Sequence, residues 1–215
     1  TNIAIGWNQL ASYDRSFILI RKNTSSSLAD KILDLAQGNL INDLDNFFTS
    51  PAFWTDLIDL EDNSTDSNVY LYDNGNYISH VNGESNKTQM KSFRSEGNQN
   101  EVIFSFGSSY REKLYLGATI GFPSINYKES TEYTESSFED TINGLSSFTL
   151  KEDLIVYGNG VNIKIGGLMR ISENIKLGGA VHSPTFFNME ETYSTNLTTF
   201  FSNPKIVLPE FDIFL

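Results

Sequence analysis

Apolar and polar side chains alternate along two neighbouring stretches of the chain, residues 99–110 and 114–129. The apolar positions are Val102, Phe104, Phe106, Leu116, Ile120 and Phe122. Successive side chains of a β-strand point to opposite faces, so a period of two predicts two strands that each have one apolar face. The polar segment 111–113 between them predicts a tight turn. Together the two stretches predict an antiparallel hairpin with one apolar side.

A second hairpin with the same pattern is predicted further along the chain, over residues 158–171 and 175–190. Its turn is expected at 172–174, and Pro184 stands where the first hairpin has Pro123. Counting the apolar segments at both ends, the chain predicts about six strands. They cover 1–19, 99–110, 114–129, 158–171, 175–190 and 207–215.

The predicted connections are very unequal in length. The turns at 111–113 and 172–174 are short, whereas those at the other end of the strands cover 20–98, 131–157 and 191–208. Short turns at one end and long loops at the other are typical of outer-membrane barrels. The predicted strands are also long enough to match the roughly 9–11 residues that a tilted transmembrane strand needs, with some projection beyond the bilayer. The fold class predicted is all-β: part of an antiparallel transmembrane β-barrel. The alternative is a soluble sheet whose apolar face covers a core.

The long connection 20–98 is expected to be an extracellular loop that contains two short helices. Ser25–Ser27 offers an N-cap, apolar residues follow at helical spacing, and Gly38 is a suitable stop. Ser50-Pro51 offers a cap and a first-turn proline for a second helix.

The phase of the charged residues predicts which face of the strands meets lipid. Charge is costly on a lipid-facing surface of a barrel and tolerated in its lumen. Within the two hairpins, the charged residues fall in register with the small and polar positions or lie close to a turn. The predicted lumen-lining residues are Tyr115, Thr119, Asn162, Lys164, Arg170 and His182.

Composition narrows the classes of function. The 215 residues carry a net charge of −12, which argues against nucleic acid as a partner. There is no Cys and there are only two His, so no metal site, cofactor or catalytic role is expected. Asp56, Asp59, Glu61, Asp62 and Asp66 form an acidic run that we interpret as a solvated loop. We also expect His182-Ser183 not to act as a catalytic pair, because neighbours on a strand point to opposite faces.

Several segments of the chain resemble the FadL/TodX family of outer-membrane transport proteins for fatty acids and aromatic hydrocarbons. The segments that carry the resemblance are Ile5–Asn8, Ser27–Asp30, Ala36–Gly38, Lys113–Tyr127, Leu177–Phe186 and Glu210–Asp212. The resemblance implies a barrel of about fourteen strands, of which residues 1–215 would be a middle portion. Both ends of the sequence fall within predicted strands, and about six strands would leave open edges that a bilayer does not tolerate. The hatch motif of the family is not found in this sequence.

The resemblance also implies a function: passive transport of small hydrophobic molecules across the outer membrane of a Gram-negative bacterium. The expected partners are the lipid bilayer, the hydrophobic ligand and possible neighbouring outer-membrane proteins. The alternative function is a docking subunit in an outer-membrane secretion or surface assembly. In the family an apolar groove of the outer loops makes the first ligand contact. Here the matching residues would be Leu44, Phe47, Phe48, Phe53, Trp54, Leu57 and Ile58. The alternative for these side chains is that they pack the two loop helices in place.

Overall fold

The computed structural model describes residues 1–61, 75–81, 83–142 and 144–202, and most of them form antiparallel β-structure. In chain order the elements are β1 (Asn2–Ser12), β2 (Arg15–Asn23), α1 (Leu28–Ala36), a 3₁₀ turn (Ile41–Asp43), α2 (Thr49–Trp54), β3 (Ile58–Leu60), β4 (Tyr77–Ser79), β5 (Lys87–Tyr110), β6 (Leu114–Ser136), β7 (Leu145–Arg170), β8 (Lys176–His182) and β9 (Phe186–Phe201). Among the described residues, neither helix has the length and hydropathy to cross a membrane.

Seven of the strands form one sheet, in the order β1-β5-β6-β7-β8. β2 also pairs with β5, and β9 also pairs with β7. Each outer position of the sheet is therefore filled by two consecutive strands. β3 and β4 form a separate two-stranded sheet. The all-β antiparallel prediction is confirmed at this level.

The predicted connection 131–157 is much shorter than expected, because β6 and β7 continue into it, and β5 and β9 also extend into the connections predicted over 20–98 and 191–208. β5 begins at Lys87, β6 continues to Ser136 and β7 begins at Leu145. These extensions are rich in polar residues on both faces, so they lack the alternation that marks the apolar halves. The interval 131–157 is consequently mostly strand. Likewise β9 continues to Phe201, while the predicted strand 207–215 lies outside the described residues.

Two predicted strands are interrupted. The first, predicted over 1–19, breaks between Ser12 and Arg15 and continues as β2 to Asn23. The strand predicted over 175–190 breaks between β8 and β9 at residues 183–185, where Pro184 has no N–H to donate to the ladder. The predicted turn at 111–113 is confirmed, with Arg111 and Glu112 at φ 50° and 53°.

Both predicted helices form, but only the first starts as expected. Ser27 caps α1: its hydroxyl accepts from the N–H of Ala29, and the Asp30 carboxylate accepts from the N–H of Ser27 at 2.7 Å. Gly38 follows α1 with φ 81°. The predicted Ser50 cap of α2 is wrong. Instead α2 begins at Thr49, and the Asp45 carboxylate accepts from the N–H groups of Phe47, Phe48 and Thr49.

The chain divides into two compact units. Unit 1 consists of Thr1–Ser16, Arg94–Ser130 and Asp153–Tyr193, and unit 2 of Phe17–Phe93, Thr131–Glu152 and Ser194–Leu215. The buried apolar core belongs to unit 2, where both helices and the small sheet pack on strand residues. Its members are Ala29, Ile32, Ala36, Leu44, Ala52, Leu57, Ile58, Leu60, Tyr77, Val81, Leu145, Phe148, Leu150 and Leu197. Unit 1 is a sheet, and its two faces are described below.

Candidate functional site: a sheet with an exposed apolar face, and a cationic cavity

One face of the unit 1 sheet is apolar and exposed. The β1–β5 register places Ile3 opposite Phe106, Ile5 opposite Phe104 and Trp7 opposite Val102. Rows of apolar side chains on β6, β7 and β8 extend this set. The members are Ile3, Ile5, Trp7, Val102, Phe104, Phe106, Leu116, Ile120, Phe122, Val161, Ile163, Ile165, Leu177 and Val181, which are between 37% and 78% exposed. Monomeric soluble proteins rarely leave so large a contiguous apolar surface uncovered.

The opposite face of the unit 1 sheet carries a buried polar cluster. Glu101 is 4% exposed, and its carboxylate accepts from Asn162 Nδ2 at 2.8 Å and from Lys164 Nζ at 3.3 Å. Nearby on this face, the hydroxyls of Ser105 and Thr119 share a hydrogen bond of 2.8 Å. The unit 1 sheet thus has a cluster of charged and hydrogen-bonding groups on one face and exposed apolar side chains on the other.

Three of the predicted lumen residues, Thr119, Asn162 and Lys164, belong to this polar face. His182 joins them, because it lies directly opposite Lys164 in the β7–β8 ladder. The remaining two predicted residues are near the turns. Tyr115 donates its hydroxyl to the carbonyl of Glu112 in the β5–β6 turn, and Arg170 ends β7 opposite Lys176.

Sequence reasoning missed Glu101, the acceptor at the centre of the cluster. A signal for it was present, since Glu101 lies in phase with Ser105 and Gly107 on the polar side of β5. Its partners could not be inferred from spacing, because Asn162 is 61 residues away along the chain. Nor did the sequence indicate that Gly121 leaves the room for it: a Cβ there would lie 2.5 Å from Glu101 Oε1.

The residues predicted to form an outer-loop groove fall into two groups. Leu44, Leu57 and Ile58 are 6%, 0% and 0% exposed and belong to the unit 2 core, so they contact protein rather than a ligand. Their burial corresponds to the packing alternative, but none of the three lies in a helix: Leu44 follows the 3₁₀ turn, Leu57 follows α2 and Ile58 begins β3. Phe48 and Phe53 are partly buried against the same core. Phe47 and Trp54 are exposed, by 44% and 72%, and a ligand contact by these two stays a prediction.

The sequence also singled out the His182-Ser183 pair and the acidic run. The Ser183 hydroxyl donates to the carbonyl of Pro184 at 2.9 Å and accepts from the N–H of Ile163 at 2.9 Å, so both interactions are with backbone. Of the acidic run, Asp62 and Asp66 lie outside the described residues. In the described part of the chain, no group of three or more His, Asp or Glu side chains is placed to hold a metal ion.

Unit 2 contains a cavity of about 560 Å³ beside the beginning of α1. Six of the residues that line it are cationic or aliphatic: Leu19, Ile20, Arg21, Leu28, Lys31 and Lys91. Ser27, Gln89 and Tyr133 complete much of its polar wall. The cavity volume falls within the range typical of sites for small molecules, about 300–1,000 Å³.

Behind this cavity lies Glu135, which is 0% exposed. Its carboxylate accepts from the hydroxyls of Ser27 and Tyr133, at 2.6 and 2.7 Å. It also accepts from the N–H of Leu28 and from Gln89 Nε2, both at 2.9 Å. Burial raises the pKa of Tyr133 above its usual value, and the hydrogen bond to Glu135 and the negative charge of Glu135 act in the same direction. These four bonds connect the first turn of α1 to β5 and β6.

The described geometry defines an antiparallel β protein whose larger sheet leaves its apolar face open. Comparisons with protein-family models, with curated proteins and with solved structures found no match for the chain. The resemblance to the FadL/TodX family therefore stays an expectation from the sequence.

Proposed function

We propose that this chain forms part of an outer-membrane β-barrel that passes small hydrophobic molecules through its lumen by diffusion. The single observation that carries the proposal is the orientation of the unit 1 sheet. Fourteen apolar side chains are at least 37% exposed on one face, while Glu101, Asn162 and Lys164 interact on the other. In water this arrangement is unfavourable, at about 25 cal/mol for each Å² of apolar surface left exposed. In a bilayer the same surface contacts acyl chains and the cost disappears.

Barrel closure is part of the proposal. Among the described residues, the outer edges of β1, β2, β8 and β9 have no strand paired with them. Unpaired backbone N–H and C=O groups are not tolerated in the hydrocarbon region, so further strands have to complete the barrel there. The polar face would then line the lumen. Since no chemistry is required, ligand would move down its own gradient.

A matched pair of cysteine variants tests the orientation of the sheet. The chain has no native Cys, so Val181→Cys and His182→Cys each provide one unique thiol. The two residues are neighbours on β8, both are exposed, and they point to opposite faces. In outer-membrane vesicles we expect the thiol of His182→Cys to react with a membrane-impermeant maleimide and the thiol of Val181→Cys to be protected. A bimane probe attached to Val181→Cys should be quenched by lipids that carry a quencher in the acyl chain. Equal labelling of both thiols from water, without lipid quenching, would contradict membrane insertion.

The transport step needs a separate experiment. Cells that produce the protein should take up a labelled long-chain fatty acid or toluene faster than cells in which its gene is deleted. The purified protein should also bind the same compound. Equal uptake by both strains, together with no measurable binding, would remove the transport proposal and leave the membrane orientation unaffected.

A further inference from the structure

The cavity beside α1 has a charge that is opposite to that of the whole protein. Although the net charge of the chain is −12, the cavity is lined by Arg21, Lys31 and Lys91, and none of its described lining residues is acidic. All three cations are exposed, and none forms an ion pair with another described residue. Three cationic side chains that line one cavity without acidic partners form a site suited to an anion.

The number of cationic donors favours a phosphate head group over a carboxylate. The two carboxylates bonded to the lining residue Ser27 are Glu135 and Asp30, and neither forms an ion pair with a described lining cation. Three separate cationic side chains can each contact a different oxygen of a phosphate. Arg21 and the two lysines also offer donors of the kind that bind phosphate oxygens, with arginine able to make two parallel bonds.

The remaining wall of the cavity indicates what is attached to that head group. Leu19, on the same face of β2 as Arg21, is 61% exposed, and Leu28 is half-buried at the start of α1. Inorganic phosphate would gain nothing from aliphatic neighbours, whereas a ligand with a hydrocarbon chain would bury these side chains away from water.

We propose that this cavity binds an amphiphile with a dianionic phosphate-monoester head group and a hydrocarbon tail. Arg21 and Lys91 hold the phosphate from the strands, Lys31 holds it from α1, and the aliphatic side chains take the tail. Every residue of this site lies in unit 2, so the proposal does not rest on transport or on the orientation of the unit 1 sheet.

Isothermal titration calorimetry of the full chain tests the site, with hexyl phosphate as the probe and with hexanoate, hexanol and inorganic phosphate as comparisons. We expect hexyl phosphate to bind at least about tenfold more tightly than each of the other three, because only it matches both charge and tail. Between pH 7.5 and 5.5 the affinity for hexyl phosphate should fall, because the phosphate takes up a second proton with a pKa of about 6 and loses one negative charge. Equal affinity for inorganic phosphate would overturn the amphiphile, and equal affinity for hexanol would overturn the anion site.

Charge variants locate the binding. The double variant R21Q/K91Q should weaken hexyl phosphate binding about tenfold or more. Lys22→Gln is the matched control, because Lys22 is the exposed neighbour of Arg21 on β2 and is not among the described lining residues. It should leave the affinity within about twofold of the wild-type value. All of these side chains are exposed, so loss of folding is not expected. Equal affinities of the double variant and K22Q would overturn the proposed site.

Discussion

Gly121 stands at a place on β6 where the room for a side chain is already occupied. A Cβ at this residue would lie 2.5 Å from Glu101 Oε1 and 2.7 Å from Asn162 Oδ1. Contacts shorter than 3.0 Å require something to move. The absence of a side chain at Gly121 is therefore what allows the carboxylate and the amide to meet.

Gly121→Ala should consequently destabilise unit 1 by about 1–3 kcal/mol, the usual cost of overpacking a tight site. The measurement is the midpoint of urea unfolding followed by circular dichroism. Gly117→Ala is the matched control, because it lies on the same strand and its Cβ would meet only Phe106 O at 3.6 Å. Equal midpoints for the two variants would show that the cluster tolerates the extra methyl group.

The carboxylate of Asp45 stabilises the beginning of α2 by accepting backbone hydrogen bonds. Burial raises the pKa of its carboxyl, but the hydrogen bonds from the Thr49 hydroxyl and from the N–H groups of Phe48, Thr49 and Phe47 outweigh this effect. The net pKa lies below the usual value of 3.8. Such a group stabilises the folded state above its unfolded pKa, and the contribution is lost as the pH falls through the lower, folded value.

Asp45→Asn should therefore weaken α2 at neutral pH by about 1 kcal/mol, as for the loss of a helix cap. Hydrogen exchange of the amides of Thr49–Trp54 is the measurement, and exchange should become roughly fivefold faster than in the wild type at pH 7. The difference between variant and wild type should shrink below pH 3.8, where the wild-type carboxyl takes up its proton. Asp43→Asn, on the preceding 3₁₀ turn, is the control. Equal exchange of Thr49–Trp54 in Asp45→Asn and in the wild type at pH 7 would contradict the role of the carboxylate.

The packing of α1 depends on Glu135, a residue of the distant strand β6. Glu135 accepts hydrogen bonds from Ser27 and Leu28, which begin the helix, and from Tyr133 and Gln89 on the strands. Glu135→Gln replaces an acceptor of four bonds by an amide that must turn a donor towards some of them. The cost of leaving buried donors without acceptors is about 1–3 kcal/mol each.

Exchange of the α1 amides should therefore be at least about tenfold faster in Glu135→Gln than in the wild type. The control is Glu132→Gln, an exposed position on the same strand. Exchange in α2 should be affected less than in α1, because the lost bonds belong to the first turn of α1. Unchanged exchange in α1 would show that its apolar face alone holds it in place.

The elements also show how far the sequence could be interpreted. The alternating apolar rows of 99–129 and 158–190 predicted strands correctly, because burial against lipid or protein on one face imposes a period of two. The same criterion missed the first halves of β5 and β7, where polar side chains occupy both faces. The cap of α1 was predictable, because Ser27 acts within one turn. The stabilisation of the start of α2 was not predictable, since Asp45 lies four residues before Thr49 and accepts from its N–H across a turn.

The candidate site was likewise only partly predictable from the sequence. Strand parity was enough to place Thr119, Asn162, Lys164 and His182 on one face. Parity does not determine which of them touch, and the acceptor Glu101 became visible only when strand register was known. The cavity in unit 2 was not predicted at all. Its cations come from β2, α1 and β5, and no short-range pattern connects Arg21, Lys31 and Lys91.

The apolar face of the unit 1 sheet contacts either lipid or water, and one substitution distinguishes these two cases. Phe104 is 46% exposed and lies opposite Ile5 in the β1–β5 ladder. In a bilayer, Phe104→Arg should cost about 2–4 kcal/mol, the value for a cation near the midplane of a barrel. At an exposed site in water the same change should alter stability by no more than about 0.5 kcal/mol.

Urea unfolding from lipid vesicles measures this cost. His182→Arg is the control, because it adds the same charge on the polar face of the sheet, where we expect little effect. Similar unfolding free energies for the two variants would mean that Phe104 does not contact lipid.

The bond between Ser27 and Glu135 has a consequence for the way the protein is made. The two residues are 108 positions apart, so a ribosome finishes α1 long before it produces the carboxylate that secures its first turn. Until β6 has been synthesised, the apolar face of this amphipathic helix stays exposed. Contacts that span so much sequence form slowly. We therefore expect a holding chaperone to bind the nascent chain during this interval, and α1 to pack in its final position late in folding.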